Sequence, residues 1–550
     1  MARASKKKEL GGPTADRLPI YRVSSGDTST PMLIELSRRI LRIGDNFQMS
    51  TRGTSRVLRS GHRVIELASE SGGIWAADES QLWNPSLRPK LVAENEAASA
   101  AEKALRQLRV LPQLQSPFRF GRPVIGGTRL ATKAAKTARR ENRRLDIQVT
   151  YPVLVGDIPM IGGGSDFQVT LGDQGQIIAY SGVWRTPKHA FDAKLISRDV
   201  ADQQFRALTQ ELTIDSFDAS LAYYSEPSFR VQDFLYPVYV YRGIAKFGKR
   251  FVPLRQIIVP ATEFGTPIVV GQRQPQLRRK KPADYRRSTR KGRRDANKGM
   301  ARRSFASAPT RPWEAGTSWI GLSGGLAGSQ QNAQGFVDEW ANAGWHIDFN
   351  WGDGNAWESD WTSNDDNYVD NADFVFYTGH ANMNGWVLAK TGGDGWLDFT
   401  ETGASPQNPG DLWGQSDLEW AIIAACGPLQ DDVISAGGGD VFARWDGAFD
   451  GMHTLLGYGA ITNDNTDEGR KVAQYCKGGS TVINAWFRTA QEIQPSTNGA
   501  KAPDGPTVWV GAMWVGKDGA DPFNDHAWDY GSVSADPVSP TWYSAMWTTC

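Results

Sequence analysis

Cysteine is scarce in this chain: three residues in 550, Cys426, Cys476 and Cys550. So sparse and odd a set excludes a disulfide framework and leaves room for a free, reactive thiol. Net charge is also lacking, with 61 Lys and Arg against 60 Asp and Glu, so no global pull towards nucleic acid or membrane follows. No stretch approaches the roughly 18 to 20 consecutive apolar residues of a membrane span, and the basic start Met-Ala-Arg-Ala-Ser-Lys-Lys-Lys is followed by no apolar core of a signal peptide. The expectation is a chain with no membrane partner and the cytoplasm as its default address.

What is abundant is tryptophan, 21 residues, of which all but Trp75, Trp83 and Trp184 follow residue 310. The length favours two or three domains, and the composition divides it further. Residues 1–28 are polar and Gly-rich and read as a mobile tail. Residues 29–142 mix short helices (Leu33 to Ile43, Asn95 to Arg109) with strand-like alternation, an α+β module. Residues 143–275 read as a second α+β module, in which Asp166-Phe-Gln-Val-Thr-Leu, the turn Gly172-Asp-Gln-Gly175 and Ile177-Ile-Ala-Tyr form a hairpin. Residues 276–310 are dense in Arg and Lys and cannot bury a core. That segment is open to reading as a plain linker, as a protease-sensitive activation segment, or as a nucleic-acid patch. Only Tyr285 interleaves its charges, too few rings for base stacking, so nucleic acid is not an expected partner.

Residues 311–550 alternate strand and helix patterns, which predicts an open α/β sheet with flanking helices; residues 536–550 read as irregular. Two apolar runs in this part end in reactive side chains: Ala372-Asp-Phe-Val-Phe-Tyr-Thr-Gly-His380 and Leu418-Glu-Trp-Ala-Ile-Ile-Ala-Ala-Cys426. Continuous runs of this kind suit strands buried on both faces of a parallel sheet, whose ligands gather at the carboxyl ends. If the two strands are parallel neighbours, imidazole and thiol share one edge, the geometry of Cys/His nucleophilic catalysis. The bland alternative is core packing, since free cysteines are among the most buried residues.

The pattern of strand then Thr-Gly-His380, and strand then Ala425-Cys426, resembles the caspase, legumain and gingipain clan of cysteine peptidases. The segment Phe449-Asp-Gly-Met-His-Thr-Leu-Leu-Gly-Tyr-Gly459 resembles a bacterial branch of caspase-like domains. The resemblance implies a caspase-like fold, a protein or peptide substrate, no cofactor, Cys426 as nucleophile, His380 as acid/base, and Gly379 and residue 381 near the oxyanion. The clan has Gly after its His; this chain has Ala381. Residues 143–275, with Tyr151-Pro, the Gly-rich turn and Trp184-Arg185, are similar to the PepSY-type inhibitory modules of peptidase prosegments, which implies a zymogen. The alternative is a catalytically inactive caspase-like binding or regulatory module.

Other candidates are weaker. His453 reads as a substrate-pocket, second-layer or structural residue. Gly321-Leu-Ser-Gly-Gly325 fits a nucleophile elbow centred on Ser323 but lacks the preceding strands of a hydrolase sheet. The acidic run from Trp351 to Asp370 holds oxygens enough for calcium, yet its spacing matches no EF-hand and turn chemistry explains it, so no metal is expected.

Overall fold

The computed structural model describes residues 16–137, 139–265, 313–391, 393–403, 412–499, 507–517 and 519–550. The basic segment 276–310 and the first fifteen residues lie outside these. The chain is mixed α/β and rich in sheet.

The amino-terminal part builds a large, mainly antiparallel sheet. The hairpin at 166–182 pairs Phe167 with Gly182 and Val169 with Tyr180. Order begins earlier than composition predicts: Arg17–Ser24 is a strand paired with Thr186–Lys194, so residues 17–24 are not a tail. Four apolar side chains, Leu18, Ile20, Tyr21 and Val23, anchor it against the core.

The carboxyl-terminal part forms a second sheet of nine strands in the order His346–Gly352, Glu314–Trp319, Phe374–Thr378, Trp420–Ala424, Thr454–Tyr458, Trp509–Gly516, Trp542–Thr549, Arg129–Ala134, Arg140–Arg144. The first five are parallel, the rest antiparallel. Side chains alternate between two cores. Phe374, Phe376, Trp420 and Ile422 join the helices Ser329–Asn342, Glu468–Lys477 and Val482–Ile493 on one face. Val375, Tyr377, Ala421 and Ile423 pack on the other against Trp361, Trp386, Trp413 and Trp445. Burial on both faces is why these strands read as unbroken apolar runs.

Several features cross the boundary between the halves. Residues 129–144, from the amino-terminal part, continue the second sheet by pairing Leu130 with Met546 and Ala131 with Ala545. Residues 542–549, which composition marks as irregular, are therefore an interior strand. Elsewhere Arg488 donates to Glu66 at 2.9 Å and to Glu492 at 3.0 Å, with its guanidinium stacked 4.0 Å above Trp75 and 4.1 Å above Tyr475. All five groups are buried or nearly so.

Candidate active site

The parallel register sets the site. Thr378 pairs with Ala424 on the neighbouring strand, so His380 and Cys426 both stand two residues beyond the carboxyl ends of adjacent strands spaced about 4.8 Å apart. The first strand, Glu314–Trp319, has neighbours leading in opposite directions, to His346–Gly352 and to Phe374–Thr378. His380 thus lies at the point where the strand order reverses, where open α/β sheets bind ligands.

His380 and Cys426 are 0% and 1% exposed. Both ring nitrogens of His380 are engaged by backbone: Nε2 lies 2.7 Å from the Gly324 carbonyl and Nδ1 accepts from the Arg255 amide at 3.2 Å. A carbonyl only accepts and an amide N–H only donates, so the ring is the neutral Nε2–H tautomer. Burial is the main cause that drives the His380 pKa down to about 4, and the nearby Arg255 charge adds to it. Among the described residues, neither ring nitrogen bonds the thiol. The Cys426 Sγ instead accepts from the Thr462 amide at 3.4 Å. Sequence reasoning thus locates both side chains, while their mutual hydrogen bond is not made in this conformation.

What stands between them is a segment that sequence reasoning missed. Residues Arg250–Pro253 and Ile257–Pro260 are strands held on the long strand Phe234–Phe247 of the amino-terminal sheet. Between them Leu254, Arg255 and Gln256 reach into the second sheet's edge. The Arg255 guanidinium, 0% exposed, donates from Nη1 to Thr378 Oγ1 at 2.8 Å and Ala424 O at 2.9 Å, and from Nη2 to Asn463 O at 2.6 Å and Glu468 Oε2 at 3.2 Å. Burial works against that charge, but Glu468, Asp464 and the Cys426 thiol favour it, and its pKa is raised. The Gln256 amide donates to Thr462 O at 2.8 Å, and Gln256 bridges Asn463 in parallel fashion. Phe247 stacks obliquely on the His380 ring at 6.2 Å. The only sequence signal was a polar Arg-Gln pair between apolar runs, which reads as an ordinary surface turn.

The remaining candidates fall elsewhere. A Cβ on Gly379 would lie 2.1 Å from the Tyr377 hydroxyl, so glycine there is required by packing. Ala381 begins a short strand paired with Trp386 and is buried. Ser323 donates to Asp353 at 2.6 Å, and Asp353 also accepts the Gly321 and Ser323 amides; the loop is a carboxylate-capped turn, and Ser323 faces no histidine. Asp370 likewise accepts the Ser416 amide at 2.9 Å and the Gly414 amide, so turn chemistry accounts for part of the acidic run.

His453 does not belong to this edge. It precedes the Thr454–Tyr458 strand and so sits at the amino ends of the parallel strands, the far side of the sheet from Cys426. There it bonds Asp525 at 2.6 Å and Asp536 at 3.4 Å. On the same side Glu314, Asp373 and Asp417 bring carboxylate oxygens within 4.8 Å of one another. Burial opposes the His453 charge, but the two carboxylates outweigh it and raise its pKa from 6.5 to about 9. The raised folded value means stabilisation that is complete below pH 6.5 and lost as pH climbs to about 9, amounting to roughly 3 kcal/mol at most. Urea unfolding of wild type and His453→Gln across that window checks this: the wild-type curve should fall more steeply.

The model of a domain of unknown function, DUF6345, matches residues 314–549, which contain the five parallel strands, His380 and Cys426. Arg255 lies outside the matched range. A crystal structure of an uncharacterized protein from Eubacterium rectale is similar at 8% identity and a TM-score of 0.28, covering 46% of this chain and 86% of that one. No curated protein matches.

Proposed function

We propose that the chain is a latent caspase-like cysteine endopeptidase, with Cys426 as nucleophile and His380 as acid/base, held shut by its amino-terminal half through Arg255. The observation that carries this is the equivalent placement of imidazole and thiol beyond the carboxyl ends of two adjacent parallel strands. In the working state the thiol proton passes to His380 and the Cys426 sulfur attacks the peptide carbonyl carbon. The C–N bond breaks as His380 returns that proton to the leaving amine. Water then attacks the thioester, yielding its proton to His380, and the released thiolate recovers it. None of this proceeds while the Arg255 amide occupies Nδ1 and the site is buried.

The prosegment-like role of the amino-terminal half rests on this insertion. Strands 129–144 are built into the second sheet, so activation would act by withdrawing residues 250–260 rather than by shedding the whole half. Cleavage in the basic segment 276–310, which comes after these strands in the chain, would free one end of that strap. An inactive binding module is the second reading, favoured by the fully bonded His380 ring. Nicking the basic segment with trypsin and assaying a peptide panel with wild type and Cys426→Ala separates the two. Hydrolysis should be present in the first and lost in the second; equal turnover, or none from either, removes the peptidase reading.

A further inference from the structure

Glu468 is a buried carboxylate that, besides its ion pair with Arg255, accepts from three neutral donors. Tyr458 Oη donates to its Oε1 at 2.7 Å, Gln494 Nε2 to the same oxygen at 2.7 Å, and Asn332 Nδ2 to Oε2 at 3.1 Å. Three neutral donors thus fix its position but supply no positive charge. The remaining acceptors around it, Thr378 Oγ1, Ala424 O and Asn463 O, come from the two strands that carry His380 and Cys426 and from the loop after Thr462. Together with Glu468 they offer a guanidinium one carboxylate and three neutral acceptors. Arg255 fills the array incompletely: its Nε is buried with no acceptor among the described residues. The next residue, Gln256, bridges Asn463 in parallel fashion, its amide donating to Thr462 O at 2.8 Å and its carbonyl accepting from the Asp464 amide at 3.2 Å, a backbone pairing of the kind a peptide substrate can make.

We propose that the cavity now filled by Arg255 is the side-chain recognition pocket of the same site, that its substrates carry arginine beside the bond cleaved, and that Glu468 sets this preference. The inference rests on the peptidase reading for its catalytic meaning, but the pocket is testable without turnover. A displaced Arg255 and an incoming arginine compete for one set of acceptors, so the strap behaves as a tethered competitor. Lysine has a single nitrogen where the guanidinium uses two to reach these acceptors, and citrulline, which has nearly the shape of arginine, lacks the charge that Glu468 requires.

The experiment uses full-length Arg255→Ala. Calorimetric titration with N-acetylarginine amide should show binding, with N-acetylcitrulline amide weaker by about tenfold to a hundredfold. Adding Glu468→Gln should abolish the difference. If Arg255→Ala does not fold, the wild-type chain serves: high concentrations of the arginine amide should accelerate alkylation of Cys426 by a small thiol reagent, and the citrulline amide should not. Equal binding or equal acceleration by the two amides overturns the pocket. Peptides with arginine on either side of the scissile bond then test its use: hydrolysis without arginine preference removes the pocket's role and leaves the peptidase, whereas arginine-selective binding without hydrolysis leaves the pocket and removes the peptidase.

Discussion

Arg255→Ala is expected to do two opposite things at once: lower the stability of the chain by about 3–5 kcal/mol and raise the reactivity of Cys426. The loss follows from removing one partner of a fully buried ion pair, which leaves Glu468 without its cation and takes one donor each from Ala424 O and Asn463 O. The gain follows because the guanidinium and its backbone lie across the space between His380 and the Thr462 loop. With Arg255 gone, a charge that depresses the His380 pKa is removed, and that pKa should rise from about 4. Alkylation rates report the change cleanly, because burial pushes the thiols of Cys476 and Cys550 far up and makes them inert. A purely structural strut predicts the stability loss alone, with Cys426 reacting no faster in the folded variant.

The second large effect is expected at Arg488→Ala. This residue joins Glu66 of the amino-terminal part to Glu492 and is clamped between Trp75 and Tyr475. Removing it leaves two buried carboxylates with Lys471 and the more exposed Arg52 as their nearby cations, and a cost of about 3–5 kcal/mol is expected in denaturant unfolding. Burial by itself would raise the Glu66 pKa, but Arg488, Lys471 and Arg52 lower it below its ordinary value of 4.5. A depressed folded pKa means that Glu66 stabilises above pH 4.5, and that this contribution is lost as pH falls through the folded value. The variant should therefore show a flatter acid limb than wild type. Because Glu66 and Arg255 lie on the same amino-terminal half, Arg488→Ala also tests whether loosening that half at a distance exposes Cys426: faster alkylation is expected, by less than in Arg255→Ala.

Much of this architecture is legible in the chain itself. The strands ending at Thr378 and Ala424 are written as continuous Phe, Val, Ile and Ala because both of their faces are buried. The hairpin at 166–182 announces itself by its Gly/Asp turn, and the helices by their apolar spacing. What is not legible is whatever depends on pairing across long sequence distances. Residues 129–144 are rich in Arg and Lys and look like surface, yet Arg129–Ala134 pairs with Trp542–Thr549, some four hundred residues further along the chain, and Arg140–Arg144 extends the sheet beyond it. Arg255 is hidden for the same reason: its acceptors, Thr378, Ala424, Asn463 and Glu468, are scattered over the second half, and nothing near Arg255 in sequence marks it as buried. His453 shows the converse limit, since a histidine beside an apolar strand is equally readable at either end of the sheet, and only register assigns it to the edge away from Cys426.

The measurement that bears most directly on the latent-peptidase account is hydrolysis of a peptide panel by Arg255→Ala beside the double variant Arg255→Ala/Cys426→Ala. The account predicts turnover by the first that exceeds wild type and falls by at least about a thousandfold in the second. Equal turnover in the two, or a folded Arg255→Ala that cleaves nothing, would contradict it.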